Sequence, residues 1–184
     1  MALLAESLVE EWLNRDGYFT IRGLKHGYGE MDLLAVRPQQ NGIVLGKHVE
    51  VQVSFRPIGY IGKFTSDMVA ESGGGRNSAR KRSPEEIEAC ARQWVVSKFK
   101  ANEKVKLREH LWPGVDWSLH LVHGVVREPH ELEIFKAEGV TCHPFHELLA
   151  DLSNRSKDSF SGSAGGDLAE IVSYFKSYKS DLDT

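Results

Sequence analysis

One short stretch constrains the fold more than any other. Met31 to Val36 reads as an apolar strand carrying a single aspartate, Asp32. It is followed by the turn Pro38-Gln39-Gln40-Asn41-Gly42 and then by a second strand. That second strand runs through Ile43-Val44-Leu45 and His48 to Ser54. In it Val49, Val51 and Val53 face one way, and Glu50, Gln52 and Ser54 face the other. Two strands joined by so short a turn pair antiparallel. A hairpin centred on Asn41 pairs positions whose numbers add to 82, which sets Asp32 opposite Glu50 with Cβ atoms ~5 Å apart. A two-residue Asn41-Gly42 turn would shift the register by one and send the two carboxylates to opposite faces. The pairing therefore requires an odd-residue turn or a bulge at Gly46.

Around this hairpin the chain alternates helix and strand. Residues 3–14 repeat apolar positions at helical spacing and stop at Asp16-Gly17. Tyr18 to Ile21 reads as a strand, and Lys25 to Gly29 as a glycine-containing loop. Residues 59–83 read as irregular. Ser83-Pro84-Glu85-Glu86 is a helix start, with Ser as cap, Pro in the first turn and acids beside it. That helix is expected to reach Lys104. A strand at 117–126, a helix at 131–138, a strand at 140–143 and a helix at 145–152 follow. The expected architecture is α/β: a mixed β-sheet flanked by helices, with an α-β-β-β-α-β core. The expected organisation is one domain over 1–152, a Ser/Gly-rich linker at 153–166 and a C-terminal helix within 167–184.

The chemistry follows from the hairpin. Two facing carboxylates repel unless a cation lies between them or one takes a proton. Mg²⁺ or Mn²⁺ takes hard oxygen ligands and leaves room for water and phosphate. Glu6, at the border of the first helix's apolar arc, can reach the same sheet face. Glu30, His26 and His48 are accessory candidates. Net charge is only −3, yet residues 76–108 hold ten basic and four acidic residues. Arg76, Arg80, Lys81, Arg82, Arg92 and Lys98 in that stretch are candidate phosphate contacts. Cys142, His143 and His146 lack the four-ligand set of a structural zinc site. His120 and His123 differ in strand parity and do not make a joint pair. Trp94 reads as core. With two cysteines, no apolar run of membrane length and no signal-peptide pattern at Met1–Glu6, a cytoplasmic protein is expected.

The order of these features resembles the PD-(D/E)xK nuclease superfamily, the restriction-endonuclease-like fold. The resemblance runs over residues 1 to about 126. It comprises the helix with Glu6, the Gly17-Tyr18 strand entry, Gly29-Glu30-x-Asp32 and the strand with Glu50-x-Gln52. The spacing from Glu6 to Gly17 is similar to that of Holliday-junction-resolvase-like members. The resemblance implies a metal-dependent endonuclease hydrolysing DNA, with Asp32 and Glu50 as metal ligands and Glu6 and Gln52 in the catalytic set. RNA as substrate and a homodimer are left open. Gln52 stands where the superfamily usually has lysine, and a glutamine offers only neutral dipoles. Lys63, Arg92 or Lys98 could supply the missing charge. The alternative is a non-cleaving nucleic-acid-binding or assembly module on the same fold.

Overall fold

A computed structural model describes residues 2–27, 29–54, 56–72, 75–78, 80–154 and 165–182. The chain runs α1 (Ala2–Arg15), β1 (Phe19–His26), β2 (Gly29–Pro38), β3 (Val44–Gln52), α2 (Ser66–Ser72) and α3 (Pro84–Val95). A π-helical turn (Val96–Lys100) leads into α4 (Asn102–Leu111). Then come β4 (Trp117–His123), α5 (His130–Ala137), β5 (Val140–Pro144), α6 (Phe145–Asn154) and α7 (Gly166–Leu182). The five strands form one mixed sheet in the order β1-β2-β3-β4-β5. β1, β2 and β3 pair antiparallel, and β4 and β5 add in parallel. The expected mixed sheet flanked by helices is present, with α-β-β-β-α-β in its first part, α2 being the extra short helix.

The sheet separates two cores. Leu33, Ala35, Val49, Val51 and Val122 pack with Leu8, Val9 and Leu13 of α1 and Leu148 and Leu152 of α6. Leu121 and Val140 pack on the other side with Ile87, Ala91, Val95, Phe99 and Phe135. Trp94 belongs to this second core and lies against Phe99 and Phe135. Among the described residues no helix is long and apolar enough to cross a membrane.

The central hairpin has the odd-residue loop that the carboxylate pairing requires. Gln39 donates its backbone N–H to Ile43 O at 2.8 Å, and Gly42 donates to Gln39 O at 3.0 Å. The loop is therefore Gln40-Asn41-Gly42, closed by Gly42 at φ +78° and by Asn41 Oδ1 accepting from Ile43 N. Pro38↔Val44 through Leu33↔Val49 all add to 82. Gly46 pairs in line with Val36, so β3 carries no bulge there.

Three expectations need correction. β1 continues to His26, so Lys25 and His26 belong to the strand, not to a loop. The irregular segment 59–83 contains the short α2. The helix expected to reach Lys104 stops being α-helical at Val95. Its start is as expected, with Ser83 and Glu86 forming a reciprocal capping box. It then passes through the π-helical turn and breaks at Ala101, which is extended at ψ 135°. The reason lies in the side chains beyond. In a straight α-helix Lys98 and Lys104 would be turned roughly 120° apart, at about 100° per residue. With the break, both reach one carboxylate of β3. Most of the Ser/Gly-rich linker (155–164) lies outside the described residues.

The segment after β3 is fixed from behind by Glu131 at the start of α5. This fully buried carboxylate accepts Ile61 N–H and Gly62 N–H, both at 2.7 Å. Burial raises its pKa, against the pull of those two N–H groups. Glu131→Ala leaves two buried donors unmet, and urea unfolding is expected to record a loss of about 2–5 kcal/mol. A loss below 0.5 kcal/mol would mean that the segment is held by other contacts.

Candidate active site

Asp32 lies where the strands part. The β1–β2 ladder passes from Arg22↔Leu33 to Leu24↔Met31, with Gly23 between them at the left-handed φ of +64°. The β2–β3 ladder ends at Leu33↔Val49, one step short of Asp32 and Glu50. The side chain of Asp32 takes the place of a backbone acceptor: its Oδ2 accepts Val51 N–H at 2.7 Å. Burial and the neighbouring Glu50 charge push the Asp32 pKa up to about 6, against the Val51 N–H and Lys98.

Glu50 has no solvent exposure and is surrounded by donors. Lys98 Nζ, from the π-helical turn, lies 2.5 Å from Oε2. Lys104 Nζ, from α4, lies 3.2 Å from Oε1 and also donates to Glu30 O and Lys98 O. His48 Nε2 is 3.1 Å from Oε1. Arg108 Nη1 is 2.7 Å from His48 Nδ1 and also donates to Phe99 O. A guanidinium only donates, so Nδ1 must accept and the imidazole proton resides on Nε2, aimed at Glu50. Burial, together with Arg108 and Lys104, lowers the His48 pKa and keeps the ring neutral.

The electrostatic outcome differs from group to group. Burial alone would raise Glu50, but the His48 N–H and the two ammonium groups outweigh it and hold its pKa below the ordinary value. Burial pulls Lys98 down, yet the Glu50 charge and hydrogen bond, with Asp32 and Glu30 behind them, hold its pKa up. For Lys104 burial wins over Glu50, and the pKa falls.

A cavity of about 360 Å³ opens beside this group, lined by Glu6, Arg22, Glu30, Asp32, Val51 and Gln52. Glu6 thus borders the same space as Asp32. Burial raises its pKa; Arg22 opposes this, and Glu30 and Glu50 add to it. Glu50 does not line the cavity; it lies behind it. Gln52 lines the cavity and also a second groove beyond it.

His48 is corrected as an accessory candidate. It is wholly buried, out of reach of an external phosphate; its part is to hold Glu50. His26 belongs to β1, and its side chain lies outside the described residues. His120 pairs with His143 (2.9 Å between Nδ1 and Nε2) and stacks on it.

The basic stretch is largely committed to the protein itself. Arg80 pairs with Glu86 and lies over the Phe64 ring. Arg92 pairs with Glu88 and Glu138. Lys98 is engaged with Glu50. Arg82 is buried against Tyr60 and Phe64. Arg76, bonded to Ser66 Oγ, and Lys81 remain exposed. Of the four candidate phosphate contacts in 76–82, aromatic rings and Glu86 therefore order two, Arg80 and Arg82.

Among the described residues no three His, Cys, Asp or Glu side chains are grouped to hold an ion by themselves. The donor set nevertheless suits Mg²⁺ or Mn²⁺, which bind through one or two carboxylates and complete their shell with water and phosphate. Burial chiefly lifts Asp32 and Glu6; the neighbouring carboxylate charge that adds to it is the kind a cation relieves.

No protein-family model matches the chain, and no curated protein matches it. A solved crystal structure described as a protein of unknown function, AF1548, is similar, with 12% sequence identity and a TM-score of 0.46. The similarity covers 82% of this chain and 66% of that one, so this chain spans just under two thirds of its length.

Proposed function

We propose that this protein is a divalent-metal-dependent nuclease that hydrolyses phosphodiester bonds in DNA. The observation that carries the reading is geometric: Asp32, at the parting of β1, β2 and β3, shares one cavity with Glu6 and Glu30, and a lysine reaches the buried Glu50 behind it. Asp32 would hold the Mg²⁺ or Mn²⁺, with Glu6 and Glu30 at the cavity wall, and Glu50 would join it as a ligand only on releasing Lys98. When bound, such an ion activates water and offsets charge on the phosphoryl group. Lys98 supplies the positive charge that Gln52 lacks. Gln52 offers its amide N–H to a phosphate oxygen at the cavity mouth. Lys104, together with the Arg108–His48 pair, keeps the Glu50 carboxylate ionised and oriented.

The test uses purified protein and a panel of linear, supercoiled and branched DNA with Mg²⁺ or Mn²⁺. Asp32→Ala is expected to abolish cleavage while DNA binding is retained, and Lys98→Met to slow cleavage about 100-fold or more. Because metal binding needs the Asp32 carboxylate, wild-type rates should rise as pH climbs through about 6. Full activity in Asp32→Ala would end the proposal. A second reading draws on the three donors already on Glu50: a nucleic-acid-binding or assembly module without cleavage. It would be favoured by wild-type protein that binds DNA and cuts none of the panel.

A further inference from the structure

The groove on the far side of Gln52 is built differently from the acidic cavity. It encloses about 500 Å³. Five of its lining side chains are cationic, and Glu128 is the one carboxylate among them. Lys63, Arg76, Lys81 and Arg127 are exposed. The fifth, Arg82, is only 6% exposed.

Arg82 is the unusual group. Its guanidinium lies 4.0 Å from the Tyr60 ring centre and 4.2 Å from that of Phe64. Nη1 donates to Gly62 O at 2.7 Å. Among the described residues no carboxylate comes within ion-pairing distance of it, and its buried Nε–H has no hydrogen-bond partner. Buried charges are ordinarily paired, and a buried donor left unmet is costly. The two rings and Gly62, itself pinned by Glu131, hold this guanidinium in place, with Glu131 and Glu86 acting on it only from beyond ion-pairing distance. Such a fixed planar fork suits a phosphate oxygen. Arg127 is fixed at the opposite wall by backbone hydrogen bonds between Ile58 and the 125–127 segment.

We propose that this groove is a phosphate subsite for a nucleic-acid strand, centred on Arg82 and completed by Lys63, Arg76, Lys81 and Arg127. The inference rests on the nuclease reading for its choice of polymer. Gln52 lines both spaces, so a strand whose phosphodiester lies at Asp32 continues into the groove. Neither Lys63 nor Arg127 belongs to the basic run 76–108; the fold brings them to it.

The test is binding without chemistry. Fluorescence anisotropy with a labelled short single-stranded oligodeoxynucleotide, in EDTA and across a NaCl series, is measured for wild type and Lys63→Ala/Arg127→Ala. Both positions are exposed, so the fold is unaffected. The double variant should bind about tenfold more weakly, and its log–log salt slope should fall by about 1.4, at about 0.7 per lost contact on single strands. Lys25→Ala/Lys106→Ala, which alters cations outside the groove, should leave both unchanged. Arg82→Met should weaken binding further, with Arg82→Lys intermediate. A wild-type preference for a 5′-phosphorylated oligonucleotide identifies a terminal phosphate as the occupant; equal binding identifies an internal phosphodiester. Unchanged affinity and slope in Lys63→Ala/Arg127→Ala would overturn the subsite even if the protein cleaves DNA. Weakened binding in a protein that never cleaves would leave the subsite standing and remove the nuclease reading.

Discussion

Replacing Glu50 with alanine is expected to cost about 3–5 kcal/mol of stability, a fall in Tm of about 6–20 °C for a domain of this size. The loss comes from what remains. Lys98 and Lys104 would keep their charges without the carboxylate that pairs with them, leaving only the more distant Asp32 and Glu30, and the His48 N–H would lose its acceptor. Removing both signs together should recover much of the loss: Glu50→Leu with Lys98→Met and Lys104→Met replaces the buried pairs by apolar contacts. Since the Glu50 carboxyl is held below its ordinary pKa, its contribution is full at neutral pH and is lost as pH falls from the ordinary carboxylate range through that lowered value. Chemical unfolding of the single and triple variants checks the account. A single variant within 1 kcal/mol of wild type would show that the lysines simply swing into solvent.

The opposite sign is expected one strand away. Asp32→Asn should stabilise the protein at pH 8 by about 1–3 kcal/mol. In the folded protein the Asp32 pKa is raised from 3.8 to about 6, so the native state binds this proton more tightly than the unfolded chain does. Above about pH 6 the fold therefore carries the full penalty of an ionised Asp32; below about pH 4 it carries none. The asparagine has no such charge and still accepts Val51 N–H. Urea unfolding at pH 8 and pH 4 should give a gain at the first and near-equality at the second. A stabilising variant that loses cleavage would mark Asp32 as a group retained at the expense of stability. A destabilised Asp32→Asn at pH 8 would refute the electrostatic account.

The sheet was readable from the sequence because two simple periodicities agree. The alternation Val49-x-Val51-x-Val53 fixes one face of β3, and the odd loop at Asn41 is the register that allows Asp32 and Glu50 to share a side. The environment of Glu50 was not readable. Alternation with valines gives the pattern of a solvated strand face, whereas here that face is covered by Lys98, Lys104 and Arg108 from 48 or more positions along the chain. Those partners were obscured by local sequence that reads as one unbroken helix. Glu131 was hidden for a related reason: an acid in the first turn of α5 fits a helix start, and its bond to the segment at Ile61 has no local signature. Charge counting over 76–108 detected a basic surface. It missed that Glu86, Glu88, Glu138 and Glu50 consume much of it, and that Lys63 and Arg127 join it in space.

The break at Ala101 gives the molecule two hands on one wrist. Lys98 lies just before it, and Lys104 and Arg108 just after, so the charges that meet Glu50 and His48 are delivered by a single short piece of chain. The hairpins β1–β2 and β2–β3 close through residues near in sequence, whereas that piece comes from 48 or more positions further on. Burial of Glu50 is therefore expected to accompany the seating of residues 96–111. The interval between Lys98 and Lys104 is consequently a measured length. Adding one residue there would rotate the second cation off its target even with every existing side chain left in place.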